Sequence, residues 1–161
     1  MTQTLPQATH EHHARLLATL DRFPAIADAL LGANPAAAQR DVVAVGTFLT
    51  ATLLPHMDAA ERTVYPELER MLQNRHSMAP LRREHGEVRA LVSKFGTYVA
   101  ELDGGALDLG RALAIRRVMF QLYALLKIHL AEEEAYIRIV EHGVPEEVGE
   151  VLAAAMAHPI G

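Results

Sequence analysis

Four long stretches of this chain repeat apolar residues at the three-to-four-residue spacing of a helix, and each closes on a cluster of Gly, Pro or Asn. That pattern constrains the fold more than any other feature. The first stretch runs from about Pro6 to Leu31 with Leu16, Leu17, Leu20, Phe23, Ile26, Ala27 and Leu30 on one side, and Pro24 should kink it or restart it after Asp21. Gly32-Ala33-Asn34-Pro35 reads as a stop followed by a start. The second stretch carries Val42, Val45, Phe48, Leu49, Leu53 and His56 and continues through Val64, Tyr65, Leu68 and Leu72, with Pro55 and Pro66 interrupting its ladder. After residues 73–80 the third opens at Pro80 and places Leu81, Val88, Leu91, Val92, Phe95 and Val99 together. Asp103-Gly104-Gly105 breaks the chain again. The fourth spans roughly Leu107 to His142, and Val144-Pro145 begins a short helix to about Ala157. The expectation is an all-α, up-down-up-down four-helix bundle with a short extra C-terminal helix over 145–157, forming a single domain over 1–161 with its core at roughly 8–141.

Composition narrows the function classes. With 161 residues, half of them apolar, the chain is long enough to bury a sizeable core. Cysteine is absent, which excludes disulfides and thiolate ligands and leaves nitrogen and oxygen donors for any metal. That composition fits a reducing cytosol, so a cytoplasmic protein is expected. No apolar run approaches the roughly 20 residues of a membrane span, and no signal region opens the chain, so no membrane association is expected. Net charge is −5 and the Lys and Arg residues are scattered, which argues against nucleic-acid binding. The oligomeric state cannot be read from the chain. The anomaly is nine histidines in a sequence with few aromatics.

Those histidines carry the chemistry. In Leu125 to Tyr136, Glu133 lies only about 40° around the helix from His129, whereas Glu132 lies about 60° to the other side and Glu134 about 140° away. Glu133, with Glu132 in reserve, can therefore share a target with His129, while Glu134 reads as a solvated residue. Leu122, Leu125, Leu126 and Ile128 lie on or near that face, where unpaired charge is costly. The first stretch offers His10, His12 and His13, of which His13 best shares a face with Leu16, Leu17 and Leu20; His10 is auxiliary and His12 points about 100° away. The second offers His56 and the third His85. A lone bundle-facing histidine is more often a satisfied core residue than a ligand, but four on four helices point to a shared metal site. His76, His142 and His158 carry no such expectation. Tyr136, about 20° from the direction of His129, reads equally as a donor to the centre or as an aromatic at the core edge.

The segments Thr9-His-Glu-His-His-Ala-Arg-Leu-Leu17, His56-Met-Asp-Ala-Ala-Glu-Arg-Thr-Val-Tyr-Pro66, Arg83-Glu-His-Gly-Glu-Val-Arg89 and His129-Leu-Ala-Glu-Glu-Glu134 together resemble the hemerythrin-like, or HHE cation-binding, family. The resemblance implies a bundle around a non-haem centre, usually of two irons, held by histidines and bridging carboxylates and open to oxygen, nitric oxide or peroxide. His13, His56, His85, His129 and Glu133 then take ligand positions. One position departs from the family pattern: Ala60 stands where a ligand Glu is usual, and Glu61 follows it. In a regular helix Glu61 points about 140° from His56, but a π-bulge between the two prolines would return it to the face as a sixth ligand. Nitrogen and oxygen donors suit iron, manganese and zinc alike. Three classes follow: a carrier or sensor of a small diatomic ligand, a catalase-like or nitric-oxide-handling enzyme, and a structural bundle with a degenerate mononuclear or zinc site.

Overall fold

In the computed structural model, which describes residues 5–32, 34–104 and 107–142, the breaks fall where residue chemistry places them. Helix α1 (Leu5–Leu20) ends at a turn, and Pro24 sits in the first turn of α2 (Phe23–Ala29), where its missing N–H costs nothing. Asn34 caps α3 (Pro35–Phe48): its side chain accepts from the Ala37 amide at 3.2 Å. A π turn, Leu49–Leu53, leads into α4 (Leu54–Ala59), and a second, Ala60–Val64, leads into α5 (Tyr65–Met71). Each π turn ends two residues before a proline, Pro55 or Pro66. The proline ring would collide with the carbonyl four residues back in a regular helix, and the wider turn relieves that collision.

Helix α6 (Ala79–Ala100) runs on into a 3₁₀ turn, Glu101–Gly104, and Asp108 caps α7 (Leu109–His142) by accepting from the Arg111 amide at 2.8 Å. Among the described residues all regular structure is helical. The expected short helix over 145–157 lies outside those residues. α7 touches α1, α2, α5 and α6, while α3 touches α2 and α6.

Apolar side chains form two clusters. The larger contains Leu16, Leu20, Phe23, Val42, Leu49, Leu53, Met57, Val88, Phe95, Ile115, Leu122, Leu126 and Leu130; the smaller contains Ala60, Tyr65, Leu68, Met78 and Leu81. Between them lie His13, His85, His129 and Glu133, all buried. In the second stretch, for example, His56 sits between Leu53 of one cluster and Ala60 of the other.

The turn between α5 and α6 sets this register. Gln73 adopts a positive φ of 52°, the Asn74 side chain accepts from the His76 amide at 3.0 Å, and Ser77 donates to the Asn74 carbonyl at 2.8 Å. The folded-back chain lays Met78 and Leu81 on Ala60, Tyr65 and Leu68. His56 lies well before this turn and His85 soon after it, and the folded-back segment takes up that difference.

The run Ala37–Met71 contains an 18-residue window of mean hydropathy 1.3, long and apolar enough by composition to cross a membrane. Alanine and valine raise the mean although no long uninterrupted apolar run occurs, and Val42, Val45, Leu49 and Leu53 of this run face the core.

Candidate metal centre

Glu133 is the hub. It is 4 % exposed, and its two oxygens face different pairs of imidazoles. Oε2 lies 3.2 Å from His13 Nε2 and 3.4 Å from His56 Nε2. Oε1 lies 3.4 Å from His129 Nε2 and 3.9 Å from His85 Nε2. Two triads result, His13–His56–Glu133 and His85–His129–Glu133, each with donor atoms close enough to hold one ion.

The outward nitrogens explain why the inward ones are lone pairs. His13 Nδ1 donates to Glu134 at 2.7 Å, His85 Nδ1 to Glu61 at 2.7 Å, and His129 Nδ1 to Glu84 at 2.8 Å. An imidazole that is neutral and spends its one N–H outward presents a bare lone pair at Nε2. Each carboxylate stands on a different element from the ring it holds, so the bonds also tie α1 to α7 and α6 to its neighbours. His56 is steadied instead by His12, whose ring centroid lies 4.9 Å from its own.

Converging lone pairs repel unless a proton or a metal cation lies among them. His85 Nε2 and His129 Nε2 stand 3.0 Å apart. On the other side His13 Nε2, His56 Nε2 and Glu133 Oε2 are buried with no hydrogen-bond partner. Donors about 2.1 Å from an ion lie about 3.0 Å apart at right angles and about 3.4 Å apart at the tetrahedral angle. The separations of 3.0–3.4 Å match those edges, while the 3.9 Å from His85 Nε2 to Glu133 Oε1 is wider, and the donor set fits a divalent or trivalent metal.

Proton affinities carry the same imprint. Burial alone would raise the Glu133 carboxyl, but the imidazoles of His129, His13 and His56 gathered around it hold it far below the usual carboxylate range. Burial pushes His85 down. At His129 burial acts the same way, yet the hydrogen bond to Glu133, with Glu84 on the other side, outweighs it and the result is raised.

Not every expected residue enters this cluster. Glu61, expected as a ligand, stands one bond further out: it holds the far nitrogen of His85 and accepts from Arg89 at 2.9 Å. Arg89 in turn reaches Asp58 at 2.7 Å. The second π turn does form where irregularity was expected, but what it turns inward is Tyr65. Nine residues of straight helix would put Tyr65 about 180° from His56, whereas the extra residue absorbed by a π turn returns it by about 100°. Tyr65 is fully buried, its hydroxyl donates to Glu133 Oε1, and its oxygen lies 3.2 Å from His85 Nε2.

Ala60, where a carboxylate was missed, lines a cavity of about 20 Å³ with His13, His56, Tyr65, Glu133 and the apolar Val64, Leu68 and Ile137. That space holds roughly one water-sized molecule. His10 lies outside the cluster and bonds Glu134 at 2.5 Å and Glu141 at 3.0 Å. Glu134, read as solvated from the helical phase, instead links His10 to His13. Glu132 sits beside Glu84, whose charge adds to burial in raising it. Tyr136 packs on the smaller apolar cluster. The residues that helical phase alone missed are Tyr65 and the outer carboxylates Glu84 and Glu134.

This arrangement agrees with the family comparison. The hemerythrin HHE cation-binding domain matches residues 4–134, and the chain belongs to that family. No curated protein and no solved structure gives a significant match. Membership in a cation-binding family and two His/Glu triads make this a metal-binding chain by type.

Proposed function

We propose that this chain holds two irons, one at His13, His56 and Glu133 Oε2 and one at His85, His129 and Glu133 Oε1, and that it binds or reacts with dioxygen, peroxide or nitric oxide. The observation that carries this reading is the set of four inward imidazole lone pairs around one carboxylate, shared two and two between its oxygens. We infer also that the four helical stretches stand as an up-down-up-down bundle around that layer, in keeping with the contacts of α7 to α1 and α6 and of α3 to α2 and α6.

Iron, when bound, supplies a redox-active Lewis acid with room for a small exogenous ligand. The protein's part is positional. Glu134, Glu61 and Glu84 fix the ring planes of His13, His85 and His129. The cavity at Ala60 admits one small molecule beside His13 and His56, and Val64, Leu68 and Ile137 give it apolar walls that disfavour bulk water. The cavity favours a reactive or ligand-binding centre over a purely structural site.

The test is to load the protein with iron and record its absorption on adding oxygen, peroxide and nitric oxide in turn. Stable new bands with oxygen and no turnover identify a carrier or sensor. Oxygen release from peroxide, or consumption of nitric oxide, identifies an enzyme. An iron-loaded protein whose spectrum responds to none of the three refutes the reactive reading.

A further inference from the structure

The contacts of Tyr65 go beyond a packing role. Its oxygen lies 3.2 Å from His85 Nε2, and the facing nitrogens of His85 and His129 are 3.0 Å apart. A neutral His85 spends its one N–H outward on Glu61, so its Nε2 has no proton to offer Tyr65. The phenol gives its own proton to Glu133 Oε1, so its oxygen lone pairs meet the lone pair of His85 across 3.2 Å. Those lone pairs do not bond each other, and a cation between them would turn the contact into an attraction. The distance also matches the edge of a coordination polyhedron with donors about 2.1 Å from the ion.

The ring is held for this placement. It stacks on His85 at 5.4 Å between centroids with a 22° interplanar angle, and the Arg82 guanidinium lies 5.3 Å over its face. The π turn Ala60–Val64 aims it inward. Tyr65 also lines the cavity beside Ala60, His13 and His56, but the imidazole nitrogen its oxygen approaches is that of His85.

We propose that Tyr65 is a protein ligand, through its phenolate oxygen, to the ferric ion held by His85, His129 and Glu133. On ligation the iron–oxygen bond forms with the phenolate's electron pair, and the phenolic O–H breaks and releases its proton to solvent; no electron is transferred. This inference rests on the metal-binding reading above.

The test separates the two. Iron per chain is measured on ferric wild-type protein, and resonance Raman spectra are recorded with excitation in the visible. The expected result is bound iron with a visible phenolate-to-iron charge-transfer band and enhanced phenolate ring modes. Tyr65→Phe should lose the band and the modes while retaining bound iron, and Tyr136→Phe should keep both. Should Tyr65→Phe not fold, ring-deuterated tyrosine in the wild type must shift the modes. Wild-type protein that holds iron without phenolate modes, or a band that survives Tyr65→Phe, overturns the ligation and leaves the metal reading intact. Wild-type protein that binds no iron overturns both.

Discussion

Removing Glu134 separates the roles assigned to the two triads. Its carboxylate bonds His13 Nδ1 at 2.7 Å and has no contact with His85 or His129, which are held by Glu61 and Glu84. In Glu134→Ala the His13 ring loses the acceptor that fixes its tautomer and plane, while every inward donor atom remains. Loss of such an outer partner costs about 10–100-fold in metal affinity, or about 1.4–2.7 kcal/mol, and the loss should fall on the ion at His13 and His56 alone. Competition with a graded chelator, read by metal per chain at each step, should therefore show one ion leaving about 10–100-fold earlier than in wild type and the other unmoved. Glu84→Ala should reverse the pattern by freeing His129. Glu132→Ala, which removes a neighbour of Glu84 and no histidine partner, should change affinity far less. Equal weakening of both ions in Glu134→Ala, or no weakening at all, would refute the assignment of outer carboxylates to individual sites.

Three further outcomes follow from the same geometry. Metal affinity should fall as pH falls, beginning above the ordinary histidine value of 6.5, because the raised proton affinity of His129 means that about one proton must leave for the second ion to bind; calorimetry in buffers of different ionisation enthalpy measures that proton. Ala60→Val should keep both ions but fill the roughly 20 Å³ cavity, so that azide no longer perturbs the iron spectrum, at an overpacking cost of about 1–3 kcal/mol in urea unfolding of the metal-free protein. Asn34→Ala should cost about 1 kcal/mol in the same assay without altering metal affinity, since it removes only the α3 cap.

Much of this molecule can be read from residue order because helices are local. Pro24, Asn34 with Pro35, and the 73–80 turn mark breaks that need no tertiary knowledge. His129 and Glu133 are separated by four residues of regular helix, so an ideal projection places them correctly. The second stretch resists that treatment. Two π turns each change the helical phase by about one residue, so a straight projection hides Tyr65 and leaves the orientation of Glu61 undecided. The prolines that follow both turns mark irregularity without stating how far it rotates the chain. Glu84 and Glu134 escape for another reason: each holds a ring on a different helix, and no spacing within one helix encodes that bond.

The central claim is that Glu133 stands between two ions. Iron-loaded crystals measured across the iron absorption edge test it most directly. Two anomalous peaks are predicted, one among His13, His56 and Glu133 and the other among His85, His129 and Glu133. A single peak, or iron found at His10, Glu134 and Glu141 instead, would contradict it.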